Sequence, residues 1–212
     1  MRNQKFVVVG HHSRWSKAEA LASSLRGYML IDDGLHGANW NHRRAIEWAS
    51  QQDCPVVILE DDALLVGCFT EKVAAWLDRF PDNLLSFYLG TGRPPQYQLE
   101  VATKLIESDQ RQTDYIIMSR LIHGVCYSIP QHRISDVLTR WDSAKPADYA
   151  VGDAYGGDVI YPCYSLVDHA DSDTVEQHPD NEQRTQRRRA WRLDASTDTK
   201  SMQEARLRQD HN

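Results

Sequence analysis

Three carboxylates stand in a row at Glu60, Asp61 and Asp62, inside the stretch PVVILEDDALL, which is otherwise apolar. Adjacent negative charges repel one another and resist burial, so a fold that keeps them exposes them to water or supplies a cation. Carboxylate oxygens suit Mg2+ or Mn2+, which takes one or two of them and fills its other positions with water and phosphate oxygens. An ion held in that way neutralises a diphosphate leaving group. The competing reading is a solvated acidic turn. In an extended segment residues i and i+2 share a face, so Glu60 and Asp62 should point together and Asp61 away from them. Asp62 is the expected direct ligand, with Glu60 beside it.

Other polar residues follow apolar runs in the same manner. Gly10, His11 and Arg14 come after KFVVV, Asp32 and Asp33 after YMLI, and Arg93 lies in TGRPP. Glycine lets a backbone approach a nucleotide closely, and a carboxylate accepts hydrogen bonds from ribose or base. A guanidinium pairs with phosphate through two parallel bonds. For His11 and Arg14 ordinary loop polarity is the plainer reading, and His42 reads equally as a structural histidine inside a helix.

The elements that must carry these residues are legible as alternating patterns. KFVVVG, YMLI, PVVILE, LLSFYLG, DYIIM and GVCYSI read as short strands, and DVIYPCYSLV as one or two more around Pro162. Ala18, Leu21, Ala22 and Leu25 recur at helical spacing, with Gly27 as the expected C-cap. Further helices are expected over Ala38 to Ser50, along Val73, Trp76, Leu77 and Phe80 up to Pro81, and along Ile134, Val137, Leu138 and Trp141. TGRPPQ should be a loop, because two prolines fit neither helix nor ladder. The alternation predicts a Rossmann-like α/β/α sandwich with a mostly parallel central sheet. Ligands of such sheets collect beyond the carboxyl ends of the strands, where the acidic triplet falls.

A chain of 212 residues suits one substantial domain, and no apolar run approaches the roughly 20 residues that a membrane-spanning helix needs. The opening MRNQKFVVVGHHSR has too short an apolar segment for a secretory signal, and the four cysteines form no C-x-x-C pair. Reduced thiols in the cytoplasm are therefore expected. A net charge of −6 argues against wholesale coating of nucleic acid, yet RTQRRRAWR sets Arg184, Arg187, Arg188, Arg189 and Arg192 around Trp191. That segment reads as a phosphate or nucleic-acid contact, or as a solvated tail that docks its tryptophan. The boundaries expected are a folded domain over 1–178, the Arg/Trp segment over 179–192, and a disordered tail over 193–212.

PVVILEDDA resembles the ILEDD signature of the family-25 glycosyltransferases, which build lipopolysaccharide and collagen glycans on a GT-A fold. GLHGANWNHRRAIEW is similar to that family's glycine, serine-histidine and aromatic pattern through Gly37 and His42, with Asn41 where serine is usual. HGVCYSIP matches through Gly124 and Tyr127, KPADYAV through Pro146 and Asp148, and YSLVDHADSDTV resembles the closing strand. YLGTGRPPQYQ and RRRAWR resemble phage-encoded relatives. The resemblance implies a GT-A-like domain, a nucleotide-sugar donor (a UDP-sugar foremost), Mn2+ or Mg2+, and inverting transfer to a hydroxyl. It makes Asp148 the candidate general base, with Asp153 as runner-up, and His169 a third metal ligand, with Asp168 as the alternative. Gly10, His11, Arg14, Asp32, Asp33, Glu60, Asp61 and Arg93 become the expected donor contacts. The acceptor is then a hydroxymethylated base of phage DNA, gripped by Arg184–Arg192 in a host cytoplasm, or a glycan hydroxyl. A non-catalytic binding module is the alternative to both.

Overall fold

The computed structural model describes residues 3–170 and 187–195. The strands are β1 (Lys5–His11), β2 (Tyr28–Asp32), β3 (Val56–Glu60), β4 (Ala63–Leu65), β5 (Leu84–Ser86), β6 (Tyr115–Met118), β7 (Cys126–Ser128), β8 (Val159–Pro162) and β9 (Val167–His169). The α-helices are α1 (Trp15–Leu25), α2 (Gly37–Ser50), α3 (Phe69–Arg79), α4 (Pro95–Arg111), α5 (Ile134–Thr139) and α6 (Ala147–Tyr155).

Seven strands form one sheet in the order β2-β1-β3-β7-β5-β8-β6, and β4 with β9 makes a separate ribbon. β1 runs parallel to both β2 and β3, and β5 parallel to β8. β7 runs against β3 and β5, and β6 against β8. Five strands therefore point one way, as the alternating pattern predicts.

Each strand's alternation sorts its side chains between two cores. Val7, Val9, Val56 and Ile58 pack with residues of α2, α4, α5 and α6. Phe6, Val57 and Leu59 pack on the other side with Phe69, Val73 and Leu77 of α3, while Val8 meets Ala18 and Ala22 of α1. Helices thus cover both faces, which is why these strands read as continuous apolar runs. Each such fully buried aliphatic side chain contributes roughly 1.5–3 kcal/mol. From β1 the chain turns first to β2 and then crosses to β3 on β1's other side, so a topological switch point lies between β1 and β3. The acidic triplet ends β3 at that switch.

Four local expectations need correction. The left-handed residue ending α1 is Arg26 (φ 50°), and Gly27 is needed for a different reason, since a Cβ there would lie 2.9 Å from the Phe6 carbonyl oxygen. Only the first part of LLSFYLG pairs as strand. Phe87 to Leu89 stay buried: the Phe87 amide still donates to Cys126 of β7, but the Phe87 carbonyl and Leu89 bond Leu166, Ser165 and Trp191. α4 begins at the second proline of TGRPPQ, because Pro95 occupies the first helical turn, where a missing N–H costs nothing. The tail does not start at Leu193. The Trp191 amide donates to the Leu89 carbonyl (2.8 Å), Asp194 to that of Ser165 (3.0 Å), and the Asp194 carboxylate pairs with Lys72 at 3.1 Å. Residues 187–194 form a strap along the segments that follow β5 and β8; Arg184 and residues 196–212 lie outside the described residues. No helix among the described residues is long and apolar enough to cross a membrane.

Candidate metal centre

A turn at Asp61 and Asp62 carries the chain from β3 into β4, and β9 pairs with β4 so that His169 stands opposite Ala63. The Ala170 amide closes the corner by donating to the Asp62 carbonyl at 2.8 Å. A histidine more than a hundred residues downstream is thereby fixed against the acidic triplet. One ligand atom each from Glu60, Asp62 and His169 then fall within 4.8 Å of one another.

The imidazole has a definite tautomer. Its Nδ1 lies 2.7 Å from the Ala170 carbonyl oxygen, which only accepts, so Nδ1 carries the proton and donates. Nε2 keeps its lone pair and faces Asp62 Oδ2 at 3.5 Å. Guanidiniums already serve both atoms: Arg188 Nη1 lies 2.6 Å from Nε2 and Arg14 Nη1 lies 2.6 Å from Asp62 Oδ2, so the corner is one that draws positive charge. A backbone carbonyl orienting the distal nitrogen is the usual support of a metal-binding histidine.

Glu60 points to the α2 face, as its i, i+2 relation to Ile58 requires. His42 Nε2 stands 3.4 Å from Glu60 Oε1, and His42 Nδ1 lies 3.0 Å from the Tyr127 hydroxyl, with the two rings stacked. Burial acts to raise the Glu60 pKa, but the hydrogen bond and charge of His42, with His169 and Arg188 behind it, outweigh burial and hold the carboxyl below its usual range. Gly124 leaves the room, since a Cβ there would lie 2.8 Å from Glu60 Oε1.

Asp61 turns away from His42 toward α1, but β3 ends at Glu60 and Asp61 and Asp62 lie in the turn that follows, so the two aspartates do not part as an extended segment would require: both reach Arg14. Asp61 Oδ2 accepts the His11 amide at 3.0 Å, its Oδ1 lies 3.0 Å from Arg14 Nη2, and the side chain is 1 % exposed. Burial pushes the Asp61 carboxyl up to about 6, against the His11 amide and Arg14. Arg14 also reaches Asp62 Oδ2 with Nη1 at 2.6 Å. It is the counter-ion of the carboxylates rather than a nucleotide contact. Gly10 is required by packing, because a Cβ there would meet Ala18, Ile31 and Asp61 at 2.9–3.1 Å.

Asp32 is corrected in the same way. Its two oxygens accept the amides of Gly34, His36 and Gly37, which folds the loop into α2. Asp33 closes a turn onto the Leu35 amide. His11 makes a local bond to Ser13 and packs against His12, at the end of β1. Arg93 sits in the loop before α4, where its carbonyl accepts from His123 Nε2 at 2.9 Å.

The two candidate bases part company. Asp153 is clamped by Arg120 (2.5 Å) and Lys145 (2.8 Å), and although burial pulls upward, Lys145 and Arg120 hold its carboxyl below the usual range. That is a structural ion pair. Asp148 lies in the first turn of α6, where its Oδ1 accepts the Tyr149 amide at 2.8 Å. Its surface is partly open, yet the surrounding protein desolvates it and, with the charge of Glu60, pushes its carboxyl up to about 7.

Two residues of the site were not singled out from their types. His123 donates Nε2–H to Arg93, leaves Nδ1 buried with no partner, and is pushed down to about 4 by burial. Tyr88 is buried between His123 and His169, ring centroids 5.1 and 6.1 Å away. His123 stands directly before Gly124, so the signal was present in the matched segment. Tyr88 gave none. Asp168, the alternative ligand, instead uses Oδ1 to accept the Ala190 amide at 2.8 Å and fastens the strap.

A divalent ion fits these residues. Glu60, Asp61 and Asp62 bring three carboxylates against two guanidiniums, Arg14 and Arg188, and Asp62 Oδ1 is buried without a hydrogen-bond partner. Neither the protein-family models nor the curated proteins give a match for this chain.

Proposed function

We propose that the protein is a divalent-metal-dependent glycosyltransferase that moves a sugar from a nucleoside-diphosphate donor to a hydroxyl acceptor. The observation that carries this reading is the convergence of Glu60, Asp62 and His169 at the end of β3, where Asp62 Oδ1 is buried without a hydrogen-bond partner and a guanidinium, Arg188, already sits at His169 Nε2. Bound there, Mn2+ or Mg2+ supplies positive charge to the departing diphosphate. Glu60 and Asp62 set its position, and His42 and Arg14 hold those carboxylates in place. Asp148, half ionised near neutral pH, takes the proton of the acceptor hydroxyl as its oxygen attacks the anomeric carbon. The choice of sugar transfer among metal-assisted reactions rests on the ordered resemblance of the acidic, Gly124–Tyr127 and Pro146–Asp148 segments.

For the acceptor we favour a glycan hydroxyl over DNA. Arg192 is bound at both nitrogens to Asp109 (2.7 Å each), and Arg188 turns toward His169, so among the described residues these two arginines of the cluster are engaged within the protein rather than aligned for phosphate. Four free thiols suit a reducing compartment such as the cytoplasm.

The test is thermal unfolding with Mn2+ and a panel of nucleoside diphosphates. A matching pair at a hundredfold excess over its Kd should stabilise by about 2.7 kcal/mol. No stabilisation by any pair would overturn the reading. Mass spectrometry after incubation with pooled nucleotide sugars then separates acceptors: sugar on hydroxymethylated duplex, rather than on oligosaccharide, would overturn the glycan assignment.

A further inference from the structure

We propose that Arg188 and a divalent cation compete for one lone pair, that of His169 Nε2, which makes the 187–194 strap a metal-responsive latch on the site. The inference rests on the metal reading above and adds a regulation that the ligand set alone does not contain.

The strap is fastened along the residues that follow Arg188. The Thr91 amide donates to the Arg189 carbonyl (2.9 Å), Ala190 to Asp168 Oδ1 (2.8 Å), Trp191 to Leu89 (2.8 Å), and Ser165 to Arg192 (2.8 Å). Trp191 Nε1 adds a bond to Gln98 Oε1 at 3.1 Å. This places Arg188 Nη1 at 2.6 Å from His169 Nε2. The guanidinium also lies in the field of Asp62, Glu60 and Tyr88, the groups that any cation there must meet.

An imidazole nitrogen has one in-plane lone pair. With Nδ1 committed to the Ala170 carbonyl, Nε2 accepts from Arg188 or coordinates a metal, not both. A metal–nitrogen bond of about 2.0–2.1 Å would run along the direction that the guanidinium N–H now occupies, and two cations so close repel. Metal binding and Arg188 docking are therefore linked with negative sign, and by reciprocity each weakens the other by the same factor. Asp168 extends the linkage to the strap backbone, because it is the residue before the ligand and holds Ala190.

The experiment is a Mn2+ titration of wild type, Arg188→Ala and Arg189→Ala, read by the paramagnetic resonance signal of free ion. Arg188→Ala should bind Mn2+ about 10-fold more tightly, while Arg189→Ala, with the same change in net charge, should match wild type. Hydrogen exchange gives the second readout: saturating Mn2+ should speed exchange at the Ala190 and Trp191 amides of wild type but not of Arg188→Ala. Equal Mn2+ affinity in wild type and Arg188→Ala overturns the competition. So does an equal gain in both variants, which would mean charge acting at a distance. Absence of Mn2+ binding in all three proteins overturns the metal reading together with the latch.

Discussion

Arg14 Nη1 lies 2.6 Å from Asp62 Oδ2, while Oδ1 of the same carboxylate is buried without a hydrogen-bond partner. One oxygen is oriented by a fixed charge, and on the proposed metal reading the other is the one that meets the cation. Asp62→Asn keeps the volume and an oxygen for Arg14 but removes the charge. On the proposed metal reading, in which this carboxylate is a direct ligand, it should weaken Mn2+ binding at least about 100-fold. Arg14 keeps its pairing with Asp61, so unfolding should cost only roughly 1–3 kcal/mol less than in wild type, and the fold should persist by circular dichroism.

Asp148, pushed up to about 7, makes a signed prediction in two measurements. Transfer should rise with pH through about 7 and then level, because the base acts in its ionised form; Asp148→Asn should lower the rate about 10²- to 10⁴-fold and abolish that limb. Stability moves the other way. Between the unfolded carboxyl's pKa near 4 and the folded value near 7 the native state binds the extra proton, so wild-type stability falls as pH rises through this window. Asp148→Asn should therefore be more stable than wild type at pH 8 by roughly 1–3 kcal/mol, with the gain vanishing by pH 4. A variant that gains stability while losing activity marks a residue kept for chemistry.

Asp153 supplies the contrast. Its carboxylate joins Arg120 and Lys145 across the base of α6, and all three side chains are partly exposed. Asp153→Asn should lower stability by only about 1 kcal/mol, the scale of solvent-screened pairs. The pH–rate midpoint should stay where Asp148 sets it. A shift of that midpoint as large as the one in Asp148→Asn would exchange the roles of the two residues.

What the sequence made legible follows from where the determinants are local. The apolar runs of β1, β2 and β3 depend on neighbours in the chain and are legible there, whereas the turn at Asp61 and Asp62, which brings both aspartates to Arg14, is not. The roles of Arg14, Asp32 and Asp61 depend on partners elsewhere: Arg14 meets carboxylates 47 and 48 positions away. A charged residue at a strand end looks the same in sequence whether it awaits a ligand or neutralises a neighbour. α4 was hidden by its prolines, which mark a loop when read alone and a helix start when seventeen helical residues follow. The strap was hidden by its polarity, because main-chain bonds to Leu89, Thr91 and Ser165 hold it rather than an apolar stripe.

Gly124 offers a test of the site that leaves the charges untouched. A Cβ at this position would lie 2.8 Å from Glu60 Oε1 and 3.4 Å from His42 Cε1. The obstructing atom is the far end of a flexible side chain, so Gly124→Ala can be accommodated by swinging Glu60 away rather than by moving backbone. Its stability cost should be below about 1 kcal/mol, within the range of mild substitutions. Displacing Glu60 separates it from both His42 and the shared ligand position, so Mn2+ affinity should fall about 10-fold, the scale on which supporting contacts tune metal sites. Gly124→Ala with unchanged Mn2+ affinity would remove Glu60 from the ligand set and leave Asp62 and His169 as the remaining pair.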